Sequence, residues 1–337
     1  MDPAALQQEN AALRRMWEQH PAEHLDTYLV AGIEDPRLNI QSILTRALLA
    51  DSLFPGRFEA LINEELRFGV VLTWLHEQLA ADANRDALRD AICYEKAAHL
   101  PAVITDAARW LETDACPLVH YLELALDPPP ESAPDQLMPE RALNVFAEVW
   151  QRELAGLTAP RLAVLEVACG SANDYRAIHA CGLAPFLDYT GLDISAKNIA
   201  NALARFPGVA FRAGSILDSG LPAGAFDVVC AHDLLEHLSA AGGATALAEM
   251  VRLARREVWL HLFNTKPDGA HEIVPRESYH WNLHSRTALL ADGRALGCAA
   301  DLIELAPLLQ HKFAFAGHPN PRAATLLLKK SAPRSAL

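Results

Sequence analysis

Glu166 and Asp193 are two acids at the ends of apolar runs, "LAVLEV" and "LDYTGLDI", and directly after the first stand the small residues Ala168, Gly170, Ser171 and Ala172. Small residues let ligand atoms lie against backbone N–H groups with no side chain in the way. A carboxylate at that turn repels a phosphate, so a cationic ligand fits better. The second acid, about two dozen residues beyond the turn, is spaced to accept hydrogen bonds from the two hydroxyls of a ribose. Ser215 and His232 close two further strand-like runs, "VAFRAGS" and "FDVVCAH". In an open α/β sheet ligands bind beyond the carboxyl ends of the strands, where the chain order reverses, so these four residues are expected to share one cleft.

One acid for a cation, one for a ribose and an apolar Ile194 or Ile216 beside an adenine together describe S-adenosylmethionine. At these residues the chain resembles the class I S-adenosylmethionine-dependent methyltransferases, over roughly residues 160 to 330. "LEVACGSAN" resembles the family's acid-x-Gly-x-Gly-x-Gly loop and "GLDIS" its second-strand acid, while "FRAGSILD" and "FDVVCAHDLLEHL" resemble its third and fourth motifs. The resemblance implies that Glu166 orients the methionyl ammonium and that Ala168 and Gly170 line the cofactor. It gives Asp193 the ribose, Ile194, Ser215 and Ile216 the adenine edge, and Ala231 and His232 the methionine portion. Alanine stands at 168 and 172 where the family usually has glycine, and Ser215 where it often has aspartate. Because alanine does not take positive φ cheaply, a slightly different turn is expected.

A nicotinamide-dependent oxidoreductase is the nearest rival. Its G-x-G-x-x-G fingerprint needs glycines at 168, 170 and 173, where the sequence has Ala168, Gly170 and Asn173. Six of the fourteen histidines lie between His232 and His284. His237, in "LLEHL", falls one turn past the fourth strand, and the resemblance puts it near the active site. His280 lies in a stretch that resembles the family's substrate-facing loop, with Tyr279 and Trp281 as an aromatic wall. A hydroxyl acceptor needs a general base, and His237, His232 and His280 are the candidates. The pair in "HWNLH" has metal-ligand spacing but no evident third ligand, so no metal is assigned.

The elements that must hold these residues are legible in the patterning. Apolar strands "LAVLEV", "LDYTGLDI", "VAFRAGS", "FDVVCAH", "EVWLHLF", "AADLIEL" and "ATLLLKK", most of them separated by helical segments, give an α/β fold with a Rossmann-like, mostly parallel seven-stranded sheet. Residues 3 to 126 carry helical spacing only, as in "QSILTRALLADSLF" and "FEALINEELRFGVVLTWLHEQLAAD". "LDPPPESAPDQLMP" holds five prolines and is read as a linker, dividing the chain into an all-helical domain, 1–140, and a cofactor-binding domain, 141–337. The helical part is expected to cap the cleft or build a homodimer interface.

Composition narrows the function further. The chain has 337 residues, 51% of them hydrophobic, and a net charge of −13 from 42 acidic and 29 basic residues. Such a surface repels phosphates and excludes nucleic acid and anionic membranes as expected partners, leaving a small-molecule acceptor. The six cysteines show no CxxC pair, the amino terminus lacks a basic-then-apolar leader, and no uncharged apolar run approaches the length of a membrane span. A cytoplasmic location is expected. Two function classes stay open: an active methyltransferase, and a methyltransferase-like binding module without turnover. Substrates on a protein or RNA are the further alternative.

Overall fold

A computed structural model describes residues 3–19, 35–37, 39–80, 140–277, 279–317 and 320–330. The proline-rich boundary, 126–139, lies outside the described residues. Helices α1 (Pro3–Gln19), α2 (Ile40–Leu53), α3 (Glu59–Ala80) and α4 (Glu140–Leu154) precede the first strand. The start of α2 is fixed by Asn39, whose side chain accepts from the N–H groups of Gln41 and Ser42, satisfying two donors a helix leaves unpaired. Among the described residues no helix is long and apolar enough to cross a membrane.

The remainder is the expected α/β unit. Its strands are β1 (Leu162–Val167), β2 (Leu187–Asp193), β3 (Ala210–Ala213), β4 (Phe226–His232), β5 (Ala254–Leu262), the short β6 (Thr265–Lys266) and β7 (His284–Ser285), then β8 (Cys298–Glu304) and β9 (Ala324–Lys330). Seven of them form one sheet in the order β3-β2-β1-β4-β5-β9-β8. The first five are parallel, and β9 runs antiparallel between β5 and β8. Chain order reverses between β1 and β4, so the carboxyl ends of these strands open onto one mouth. Helices α5 (Asn173–Ala180), α6 (Ala196–Arg205), α7 (Ala240–Leu253), α8 (Arg286–Ala295) and α9 (Leu305–Phe313) follow individual strands.

Strands buried on both faces must be apolar on both, which is why they read as continuous runs. On one face Leu165, Val167, Val229, Ala231 and Val258 pack with Leu247 and Met250 of α7 and with Leu13 of α1. On the other, Val164, Val228 and Trp259 pack with Trp150 of α4, Tyr175 of α5, and Leu49 and Ala50 of α2. Helices from the amino-terminal region therefore lie against both faces of the sheet. The four described cysteines, Cys169, Cys181, Cys230 and Cys298, are free and buried.

Strand limits differ from the sequence reading by one residue at β2 and β8 and by more at β3 and β5. β3 stops at Ala213 because the chain turns at Gly214, whose N–H bonds the Asp193 carbonyl at 2.8 Å, and enters a 3₁₀ turn over Ile216–Asp218. β5 begins at Ala254, directly where α7 ends.

The turn after β1 also differs from expectation. Ala168, Gly170 and Ala172 all take left-handed backbone, with φ of 57°, 54° and 67°, so the alanines adopt the glycine conformation instead of reshaping the turn. That conformation costs an alanine about 1–2 kcal/mol, and glycine returns somewhat less than about 1 kcal/mol of it as backbone entropy. Ala168→Gly is therefore expected to raise the thermal midpoint. Ala172 is fully buried, and losing its methyl costs about 0.8 kcal/mol, so Ala172→Gly is expected to leave the midpoint close to wild type and below that of Ala168→Gly. Thermal melts of the two variants beside wild type check both signs.

Candidate functional site

A cavity of about 530 Å³ opens at the mouth of the sheet. Its floor is the turn at Ala168 and Gly170, its sides are Asp193, Ile194, Ser215 and Ile216, and His232 and His237 stand toward β4. Leu13 and Met16 of α1 complete the wall. Of the nine residues expected to touch a cofactor, Ala168, Gly170, Asp193, Ile194, Ser215, Ile216 and His232 line this cavity, whereas Glu166 and Ala231 do not. Ala231 is fully buried, with its side chain in the core.

Asp193 is the structural pin of the mouth. One carboxylate oxygen accepts from the Gly170 N–H at 2.9 Å, and the other accepts from the Ser195 N–H at 2.8 Å and from Asn198 Nδ2 at 3.3 Å. Burial pushes its pKa up and these hydrogen bonds pull it back. Ser215 accepts from the Leu217 N–H at 3.1 Å and donates to Asn10 Oδ1 of α1 at 2.5 Å. One residue earlier on α1, the Glu9 carboxylate accepts from the Ser239 N–H and hydroxyl at 2.6 and 2.5 Å, which joins α1 to the start of α7.

Glu166 points the other way, behind the turn. Its carboxyl accepts a hydrogen bond from the Tyr189 hydroxyl, and burial, then the nearby Asp174, holds its pKa well above the usual carboxylate range. On the same side of the sheet His232 and His261 stack with ring centroids 4.2 Å apart. Thr45 of α2 reaches both, with Oγ1 3.1 Å from His232 Nε2 and 2.8 Å from His261 Nε2. Burial, then His232, keeps the His261 ring well below its ordinary pKa and hence neutral.

A second cavity, of about 540 Å³, adjoins the first. Gln41 and Ser42 of α2, Asn173 and Asp174 of α5, Phe263 and Asn320 contribute to its lining, and His232, Asp233, His237 and Trp281 line both cavities. Asp233 takes φ of 50°, a strained conformation for a non-glycine residue at the seam between them. His237 Nδ1 lies 3.2 Å from the His280 carbonyl, which accepts only, so Nδ1 carries the proton and Nε2 a free lone pair. Burial lowers the His237 pKa, and the rings of Phe263, Tyr279 and Trp281 lie 5.7–5.8 Å from it. His280 itself lines neither cavity, and the structure uses its backbone to orient His237. Nor do the two histidines of "HWNLH" pair, since His284 contacts His271, Nδ1 to Nδ1 at 3.3 Å.

Sequence reasoning missed two residues that hold this loop in place. Buried Asn282 donates to the carbonyls of Leu235 and Leu238 at 3.1 and 2.7 Å and accepts from the Val274 N–H at 3.1 Å. Glu236 accepts from the Phe263 N–H at 2.8 Å and receives the Asn282 N–H on its own carbonyl at 2.9 Å. Only their polarity inside otherwise apolar neighbourhoods could have marked them.

Residues 164–257 match a family model described as a methyltransferase domain. No curated protein matches the chain. Among solved structures, a Burkholderia thailandensis 1,6-didemethyltoxoflavin-N1-methyltransferase with bound 1,6-didemethyltoxoflavin and S-adenosylhomocysteine is similar at 16% identity, over 55% of this chain and 76% of that one, with a TM-score of 0.41. An S-adenosylmethionine dependent methyltransferase from Mesorhizobium loti is similar at 15% identity, over 55% and 98%, with a TM-score of 0.40.

Within the matched residues, Glu236 gives the stability a pH dependence. Burial, then the charge of Asp233, pushes its carboxyl up to about 8, against the pull of backbone N–H groups. Its folded pKa lies above the unfolded value, near 4.3, so between roughly pH 4.3 and 8 the unfolded chain releases a proton that the folded chain keeps. Stability from this group is thus full below that window and declines as pH rises through it. Glu236→Gln removes the titration while keeping the shape. The variant is expected to match wild type below about pH 4 and to exceed it in thermal midpoint at pH 8, read from melts across the range.

Proposed function

We propose that the protein transfers a methyl group from S-adenosylmethionine to an oxygen or nitrogen of a small-molecule acceptor. The observation that carries this reading is the junction of the two cavities at His232, Asp233, His237 and Trp281. One cavity suits a nucleoside and the other, more polar in its residues, suits an acceptor.

The residues of the first cavity fit the cofactor. Ala168 and Gly170 leave the backbone approachable, Asp193 has lone pairs beyond those its internal bonds use to accept from ribose hydroxyls, and Ile194 and Ile216 give apolar flanks for an adenine. When bound, the cofactor supplies a methyl group on a positively charged sulfur, open to direct displacement. The chain's task is then alignment and exclusion of water. Phe263 and Trp281 line the acceptor side, Tyr279 lines the first cavity beside His237, and His237, neutral and with Nε2 free, accepts the proton of an acceptor hydroxyl. An acidic chain with net charge −13 favours small acceptors over nucleic acid.

Calorimetric titration with S-adenosylmethionine, followed by transfer of labelled methyl into a metabolite pool, tests the reading. Binding without any labelled product would mean a binding module. His237→Ala is expected to lower turnover by about 10²–10⁴-fold with cofactor affinity nearly unchanged. Because burial lowers the ring's pKa, wild-type activity should be level at neutral pH and fall below about pH 6.5, and that acid limb should vanish in the variant. A variant that loses cofactor affinity and keeps the limb would remove His237 from catalysis.

A further inference from the structure

Three ligand-type side chains meet where the second cavity reaches the sheet. Glu166 from β1, Asp174 from the first turn of α5 and His232 from the end of β4 each bring one carboxylate oxygen or imidazole nitrogen within 4.8 Å of the others. His232 Nδ1 and Asp174 Oδ2 face each other at 3.6 Å, too far for a hydrogen bond. Asp174 Oδ1, Asn173 Oδ1 and His232 Nδ1 are closed to solvent and bond to nothing among the described residues.

The hydrogen bonds around Thr45 put a proton on His232 Nε2, which in the neutral ring leaves Nδ1 an acceptor. The Thr45 hydroxyl has a single proton, which goes to the Gln41 carbonyl at 3.1 Å, a group that can only accept. Thr45 Oγ1 then accepts from the Nε2–H of both His232 and His261, and His261 Nδ1 accepts from the Thr325 hydroxyl at 2.9 Å. Each proton in this chain is used, and a bare lone pair is left on His232 Nδ1 facing a carboxylate. Two carboxylates and an imidazole lone pair converge with one donor between them, the Tyr189 hydroxyl on Glu166, and such a set calls for a cation.

The spacing says which kind. Two ligands at about 2.1 Å from one ion and 3.6 Å apart subtend roughly 120°. Two acceptors sharing an ammonium at about 2.8 Å would subtend only about 80°, tighter than its N–H directions allow. We propose that Glu166, Asp174 and His232 hold one divalent first-row transition ion. The imidazole favours such an ion over magnesium or calcium. The outer hydrogen bonds of a metal site are already built, Tyr189 to Glu166 and Thr45 to the far nitrogen of His232. Asp174 and His232 line the second cavity, so the coordination left open by three protein ligands faces the acceptor side.

The full chain, purified without a histidine tag and stripped with chelator, would be titrated with Zn²⁺ and separately with Mn²⁺, with elemental analysis counting bound metal. One ion per chain is expected, together with a rise in thermal midpoint on adding metal. Asp174→Asn and His232→Ala should each weaken binding by on the order of 100-fold or more and abolish that rise, and Thr45→Val should weaken it by about 10–100-fold. Thr45→Val removes only the hydroxyl that orients the ring, so it decides the matter where a ligand variant does not fold. Absence of stoichiometric metal in wild type, or affinities unchanged in these variants, would overturn the proposal. So would a result in which no metal binds and Asp174→Asn instead weakens S-adenosylhomocysteine, since the cluster would then belong to the cofactor's ammonium.

Discussion

The mouth of the sheet depends on one carboxylate. Asp193 bonds the Gly170 N–H on one side and the Ser195 N–H on the other, so the turn after β1 and the turn after β2 are held as a unit. The first of these contains three left-handed residues, two of them alanines, a conformation that persists only where surrounding structure fixes it. Asp193 supplies that fixing from a neighbouring strand end. The approachable backbone at Ala168 and Gly170 follows from it.

How much of this was legible depends on where each partner sits in the chain. The sheet was readable because parallel strands covered on both faces leave apolar runs, and "LAVLEV", "LDYTGLDI" and "FDVVCAH" are nearly β1, β2 and β4 as they stand. That seven of the residues expected to touch a cofactor line one cavity was readable because strand ends meet at a switch point by topology alone. What spacing could not reveal is lateral contact. Asp174 and His232 stand beside Glu166 only because α5 and β4 flank β1, and Thr45 reaches His232 from α2, far away in sequence. His280 was chosen by residue type, but its contribution is a backbone carbonyl, which any residue at that position would offer. Glu166 was read from its place in a motif, and the side chain turns to the opposite side of the strand from the cavity.

The interior is unusual in its acids. Glu166, Asp193 and Glu236 are each buried, and burial raises the pKa of each, so the region resists accumulating negative charge although the chain as a whole is strongly acidic. A cationic or neutral guest relieves that tension and an anionic one adds to it. The same logic links the two cavities. Asp193 lines the first cavity, and Glu166 stands beside Asp174 of the second.

The wall that α1 adds to the first cavity has a kinetic meaning. Leu13 and Met16 are carried by a helix joined to the strand-bearing unit through side-chain hydrogen bonds from Glu9 and Asn10, with no strand pairing. A latch that closes with equal energy over a cavity with or without its guest changes entry and exit by one common factor and leaves the equilibrium constant untouched. If α1 opens as such a latch, residence time and affinity are set by different parts of the chain: the strand ends would determine how tightly a guest is held, and two polar side chains near the amino terminus for how long.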